Sequence, residues 1–290
     1  MGCINTKKYK KESRLKDEDE VRPSHWKKEF PSLDEDIRTK WEKEQLELKK
    51  KLILENTEEW QQKVEDDDET SGLQYIGGVD ISFVKGDTRN ACAALVVCKF
   101  PSLEVVYEDC TMVELTAPYI PGFLAFREAD FLVERFYKLR SVHPEYLPQL
   151  VLVDGNGLLH PREFGLACHL GVLLDLPAAG VAKKLFQVDG LENDAKHKEK
   201  IDGLRKGGDT FPLVGSSGRT LGVALRSNEA TKNPVYVSAG HKISLEATVT
   251  VVKKCCKHRI PEPVRQADIR SREFLRVNFK AEDSVDGEER

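Results

Sequence analysis

Leu150-Val151-Leu152-Val153-Asp154-Gly155-Asn156-Gly157 is the stretch on which the fold turns. Four aliphatic residues without a polar interruption predict a strand buried on both faces, the pattern of a sheet covered by helices on each side. The aspartate and glycines that follow predict a turn at the strand's carboxyl end, where ligands bind in open α/β sheets. Upstream, residues 74–84, 91–100 and 104–115 are alternating or β-branched stretches separated by Gly86-Asp87 and Pro101-Ser102, which predicts a three-stranded meander. Downstream, strand and helix alternate. A helix is expected over 121–140, another from Pro161 with Leu166, Leu170, Leu173 and Leu174 inward and Pro177 closing it, and a short strand over 178–182. A charged helix over 193–206, a hairpin over 211–226 turning at 215–218, and helices near 244–257 and 263–278 complete the pattern. A meander followed by alternating elements indicates an α/β fold with a mixed sheet and helices on both faces.

Around this domain the composition changes. Ser32 and Glu35 form a Ser-x-x-Glu capping box, and Trp41, Leu48 and Leu52 recur at helical spacing, predicting one amphipathic helix over 32–62. The acidic run at 65–70 is expected to be a linker. Residues 1–31 and 281–290 are charged and poor in large apolar residues, the composition of disordered tails, which leaves 32–280 as the catalytic domain. With 290 residues, 40% of them apolar, the chain can fill one large core. A net charge of −4 argues against nucleic-acid binding by bulk charge, so any such site must be local. Seven cysteines without a CxxC pair predict neither disulfides nor zinc. No apolar run approaches the roughly 20 residues that span a bilayer, and an intracellular protein is expected.

Asp80 interrupts the apolar strand Tyr75-Ile76-Gly77-Gly78-Val79-Asp80-Ile81-Ser82, where an unpaired carboxylate costs several kcal/mol, on the order of a charge desolvation. If that strand neighbours 150–153, Asp80 and Asp154 face one another and their like charges demand a cation. Hard oxygen ligands suit Mg²⁺, with Mn²⁺ as a substitute. Such ions polarise phosphoryl oxygens and activate water, which is the chemistry of phosphodiester hydrolysis.

Pro118-Tyr119-Ile120-Pro121-Gly122-Phe123-Leu124-Ala125-Phe126-Arg127-Glu128 resembles the PYIPG…FRE signature of the endonuclease V family, of ribonuclease H-like fold and, here, of animal type. The resemblance extends to residues 77–80, to 153–157 with His160-Pro161-Arg162, to 180–184 and to 238–244, and it spans roughly 35–278. It implies that Asp80, Glu128 and Asp154 are the metal ligands, that His241 lies near the metal and the attacking water, and that Lys183 contacts the scissile phosphate. It implies that Tyr119, Ile120, Pro121 and Gly122 form a wedge that enters the base stack while the abnormal base leaves it. The base pocket is then expected around Gly155, Asn156, Gly157, Leu158 and His160, where backbone groups can read the 6-carbonyl and ring N–H of hypoxanthine. The implied activity is cleavage of the second phosphodiester 3′ to inosine in single-stranded RNA, and in deaminated DNA, leaving 3′-hydroxyl and 5′-phosphate ends. Basic residues of 253–272 are expected to follow the nucleic-acid backbone.

Two other readings compete. A ribonuclease H-like ATPase or sugar kinase needs phosphate-loop glycines after its first aspartate, whereas Ile81-Ser82 follow Asp80. A non-catalytic inosine-RNA binder would be expected to lose a ligand carboxylate, and all three are retained. The family implies a monomer placed in cytoplasm and nucleus, nucleolus included. Against that, Met1-Gly2-Cys3-Ile4-Asn5-Thr6 fits the myristoylation pattern, with Cys3 available for palmitoylation and Lys7, Lys8, Lys10 and Lys11 beside it. Two lipid chains or one chain and a basic patch suffice for stable membrane anchoring. Incorporation of an alkyne-tagged myristate that disappears in Gly2→Ala is the expected result; equal labelling of the variant would remove this anchor.

Overall fold

The computed structural model describes residues 33–65 and 72–282. The lipidation signal, the acidic run after Glu65 and the carboxyl-terminal tail after Glu282 lie outside the described residues. The chain order is α1 (Leu33–Lys49), α2 (Glu59–Glu65), β1 (Tyr75–Phe83), β2 (Asn90–Lys99), β3 (Glu104–Glu114), α3 (Ala125–Val142), β4 (Leu150–Val153), α4 (Leu166–Leu174), β5 (Ala178–Ala182), α5 (Ala195–Gly203), β6 (Thr210–Val214), β7 (Thr220–Leu225), β8 (Val235–His241), α6 (Leu245–Lys254) and α7 (Glu262–Glu282). The strands form one mixed sheet in the order β3-β2-β1-β4-β5-β8-β7-β6.

The meander is antiparallel, and β1 then pairs in parallel with β4, setting Val79 against Val153. All four β4 side chains are buried, as their uninterrupted aliphatic run predicts. Val151 and Val153 pack toward α3 and α4, while Leu150 and Leu152 pack toward α6 and α7. Each such side chain contributes roughly 1.5–3 kcal/mol on burial. The sheet is thus clad on both faces.

Three expectations need correction. The single helix over 32–62 is broken: residues 50–58 leave the helical path because tertiary partners capture their backbone. Ile53 donates its N–H to His241 Nδ1 and accepts from the Lys242 N–H, and Asn56 Oδ1 accepts from the Ser244 N–H. Two helices begin later than the prolines predict, α3 at Ala125 after a turn through Gly122 and α4 at Leu166 after a loop. Residues 235–241, for which no strand is expected, form β8, buried at every position between β5 and β7.

Gly78 fixes the approach of α7 to β1. A Cβ there would stand 2.0 Å from the Pro263 carbonyl carbon and 2.6 Å from the Val264 nitrogen, both backbone atoms that cannot yield locally. At Gly77 the nearest contact would be the Pro148 ring at 3.2 Å. Gly78→Ala is therefore expected to cost roughly 1–3 kcal/mol of stability, the range for overpacking, and to displace α7, while Gly77→Ala costs less than half of that. Thermal unfolding of the two variants decides it, and equal losses would contradict the close packing.

Candidate active site

Asp80 and Asp154 end up side by side because β1 and β4 are parallel neighbours; the Asp154 N–H donates to the Val79 carbonyl at 3.4 Å. Asp80 points to the α7 face and is only 8% exposed. Ser82 and Ser271 donate hydroxyl hydrogen bonds to its Oδ2 at 2.8 and 2.9 Å. Burial raises its pKa, and the neighbouring charges of Asp154 and Asp268 add to the rise against the lowering by the two serines.

The residue that completes the group is Asp268, on α7 one turn before Ser271. Asp80, Asp154 and Asp268 each present a carboxylate oxygen within 4.8 Å of the others. Lys183, which follows β5, sets its ammonium 2.5 Å from Asp154 Oδ2 and 3.7 Å from Asp268 Oδ1. Burial opposes the Lys183 charge, but the two aspartates outweigh it and raise its pKa. Arg272 reaches Asp268 Oδ1 at 2.7 Å. Three hard oxygen donors in one place fit a divalent ion that keeps water and phosphate oxygens as its remaining ligands. Asp268 carried no sequence signal, since an acid among Arg265, Arg270 and Arg272 on an amphipathic helix reads as ordinary surface.

Glu128 lies in the first turn of α3, 7% exposed and outside the set formed by the three aspartates. Burial drives its pKa up to about 8, with Asp80 and Asp154 adding to the rise and Arg127 opposing it. Of the expected ligands Asp80, Glu128 and Asp154, the two aspartates come together with Asp268, and Glu128 lies near enough to both for their charges to act on it.

His241 is not brought to the carboxylates. It pairs with Ala178 at the start of β5, whereas Lys183 follows that strand's end, five residues or roughly 16 Å away along the strand. Buried to 2% exposure, its Nδ1 accepts from Ile53 at 3.3 Å and its Nε2 stands 3.8 Å from Asp175 Oδ1. Burial lowers its pKa, and so does Lys242. Its task is to hold residues 50–58, which follow α1, against the opposite edge of the sheet.

Beside the carboxylates, Tyr119, Gly122, Gly155, Asn156 and His160 line a cavity of about 290 Å³. Tyr119 is 67% exposed at its mouth. Asn156 carries a buried side-chain oxygen with no hydrogen-bond partner. Ile120, Pro121, Gly157 and Leu158, also expected in the wedge or pocket, are absent from the cavity wall. Gly157 and Leu158 instead dock on β8, with the Gly157 N–H on Ser238 Oγ at 2.8 Å and the Leu158 N–H on the Ala239 carbonyl at 2.9 Å.

Gln45, which sequence reasoning missed, brings α1 to the cavity wall. Its Nε2 donates to the Phe164 carbonyl at 2.9 Å and its Oε1 accepts from Arg162 Nε. Arg162 in turn donates to the Gly122 carbonyl at 2.5 Å and lies 4.0 Å over the Phe123 ring. Gly122 has φ +82°, and a Cβ there would meet Arg162 at 2.8 Å, so the turn below Tyr119 is held from two sides. Trp41 stacks on Phe126 with centroids 5.2 Å apart and adds apolar support to the same loop.

Acidic side chains from two neighbouring parallel strands and a covering helix, meeting at the carboxyl edge of a mixed sheet, place the molecule among ribonuclease H-like proteins. Within that class the comparisons narrow the choice. The family profile described as Endonuclease V matches residues 58–269. Endonuclease V of Homo sapiens is 59% identical over 239 residues, covering 82% of this chain and 83% of the relative, and that of Mus musculus is 61% identical over 236 residues, covering 81% and 69%. The crystal structure of the catalytic domain of human endonuclease V superposes with a TM-score of 0.82 at 56% identity, covering 85% of this chain and 98% of that one. The endonuclease V of Ciona intestinalis, solved with a 24mer DNA containing an inosine followed by a ribo-adenosine, gives 0.75 at 35% identity, covering 83% and 98%. The chain belongs to the endonuclease V family and is an endonuclease. The aspartate cluster could hold a metal ion.

The raised pKa of Glu128 has a thermodynamic consequence. A carboxyl whose folded pKa of about 8 exceeds its ordinary 4.5 favours the fold below pH 4.5, and that contribution is lost as pH rises through 8. In excess chelator, Glu128→Gln should leave the melting temperature unchanged at pH 4 and raise it by more than about 5 °C at pH 9. A variant that melts with the parent at both pH values would contradict the buried, proton-binding state.

Proposed function

We propose that this protein is a Mg²⁺-dependent endonuclease, served also by Mn²⁺, that hydrolyses the second phosphodiester bond 3′ to inosine in single-stranded RNA, and in deaminated DNA, leaving 3′-hydroxyl and 5′-phosphate ends. The observation that carries this reading is the convergence of Asp80, Asp154 and Asp268 within 4.8 Å at the sheet edge that also holds the cavity behind Tyr119.

Asp80, Asp154 and Asp268 would hold the ion, which would polarise a phosphoryl oxygen and activate water. Lys183 balances the aspartates and offers its ammonium to the scissile phosphate, positioning it without reading sequence. Glu128, buried beside Asp80 and Asp154, would offer a further carboxylate to the same ion. Tyr119 enters the stack as the base leaves it, and the backbone of Gly155 and Asn156 lies along the cavity that receives that base. The unpartnered oxygen of Asn156 is an acceptor for the ring N–H that hypoxanthine has and adenine lacks. His160 enters as a neutral ring, since burial lowers its pKa to about 4, and stands 3.1 Å from the Gly122 carbonyl. The inosine followed by a ribo-adenosine in the Ciona complex supports both the lesion and the ribose preference.

Matched oligonucleotides carrying inosine or adenosine, in single-stranded RNA, duplex RNA and DNA, test the reading on one gel. The expected result is a single cut in the inosine strands, fastest in single-stranded RNA, lost in excess chelator and reduced on the order of a thousandfold or more in Asp80→Ala, Asp154→Ala and Asp268→Ala. Cutting that persists in chelator, or that treats adenosine and inosine alike, would overturn it. Tight binding of inosine RNA without cleavage in Mg²⁺ or Mn²⁺ would make the protein a reader instead of a nuclease.

A further inference from the structure

Tyr119 borders two concavities. One is the cavity already described. The other is a groove of about 540 Å³ on its far side, walled by Phe83 at the end of β1, by Thr88 and Arg89 of the β1–β2 loop, by Leu115 and Pro118 after β3, and by Arg127 of α3. Phe83 is 38% exposed, a large ring left open to solvent three residues beyond Asp80. Arg127 is 8% exposed and stacks its guanidinium 5.5 Å from the centroid of that ring. One Arg127 NH₂ group donates to the Thr88 carbonyl, its Nε has no partner, and among the described residues no carboxylate stands at ion-pair distance from it. A buried guanidinium thus contacts both the Phe83 ring and the β1–β2 loop. An open aromatic face backed by a guanidinium at a cost in desolvation points to a ligand with a flat, polarisable surface.

We propose that this groove is a second nucleobase subsite, taking an undamaged base that flanks the lesion on the substrate strand, with Phe83 as its stacking platform. The inference rests on the function proposed above and extends it. When Tyr119 takes the place of the extruded base, the flanking base lies against the far side of that ring, where the groove opens. Its exposed wall is mostly apolar, Arg89 is paired with Glu114 at 2.6 Å and Asp87 shares the wall with Arg127, so the groove carries no surplus positive charge to hold a phosphate and the occupant is the base. The groove adjoins the base cavity, because Tyr119 lines both, and Arg127, beside Glu128 in the first turn of α3, forms part of its wall. Stacking does not discriminate strongly among bases, so such a subsite strengthens binding on any sequence around the inosine.

The test is a series of single-stranded RNAs with one inosine, in which each nucleotide from two before to three after it is replaced in turn by an abasic ribose. Cleavage efficiency and, in parallel, binding in Ca²⁺ by fluorescence anisotropy are measured for the parent protein, Phe83→Ala and Phe83→Trp. The parent should lose about tenfold at one flanking position, as removal of one stacked base implies. Phe83→Ala should show that loss on the intact RNA and no further loss when that same position is abasic, while Phe83→Trp behaves as the parent. Equal sensitivity of Phe83→Ala and parent at every abasic position would overturn the subsite, as would uniform impairment by Phe83→Trp. The binding arm reads the groove even if the parent fails to cut, and that failure would count against the proposed function alone.

Discussion

Three aspartates held within 4.8 Å of one another are the constraint on which the rest of the structure depends. Their mutual repulsion in a half-buried site must be offset, and the surrounding residues are arranged to do so. Lys183 supplies a positive charge from the next strand, Arg272 a second from α7, and Ser82 and Ser271 donate to the most buried carboxylate. Burial raises the pKa of Asp80 and of the adjoining Glu128, and the neighbouring carboxylates add to the rise. A divalent ion would relieve the same repulsion more completely, which is why such a cluster suits a metal.

The cluster exists only while α7 stays against β1. Gly78 sets that distance, and Asp268 and Ser271 both ride on the helix it admits. On the other face of the sheet, α1 reaches the wedge turn through Gln45 and Arg162, and His241 secures the chain that follows α1 at the opposite edge. The aspartate cluster and the cavity beside Tyr119 are thus built by different layers, joined by the parallel pair β1 and β4. His241 is thus far from the carboxylates and is tied through Ile53 to the chain that follows the helix bordering the cavity.

What could be read from the residues follows from how local each signal was. The meander, β4, β5 and the β6–β7 hairpin were legible because each carries its own alternation or aliphatic run bounded by turn residues. β8 was not, since Ser238, Gly240 and His241 dilute its pattern and only burial between two strands makes it a strand. The break between α1 and α2 was hidden for a related reason: residues 50–58 have helical spacing, but hydrogen bonds to His241, Lys242 and Ser244 compete for their backbone and side chains. Asp268 and Gln45 look like helix surface in one dimension and become site residues only when the helices are packed.

The sequence by itself determined the mixed sheet with helices on both faces, the placement of Asp80 inside a strand and Asp154 at a strand end, and, through the PYIPG…FRE resemblance, the family. Those are properties of short segments, in which propensity, periodicity and motif act within a few residues. Tertiary structure alone decided that Asp268 joins the two aspartates, that Glu128 stands beside them, that His241 belongs to the opposite edge, and that Tyr119 borders both a cavity and a second groove. Each of these depends on the packing of elements far apart in the chain, where close contact at glycines and the pairing of buried charges select the arrangement.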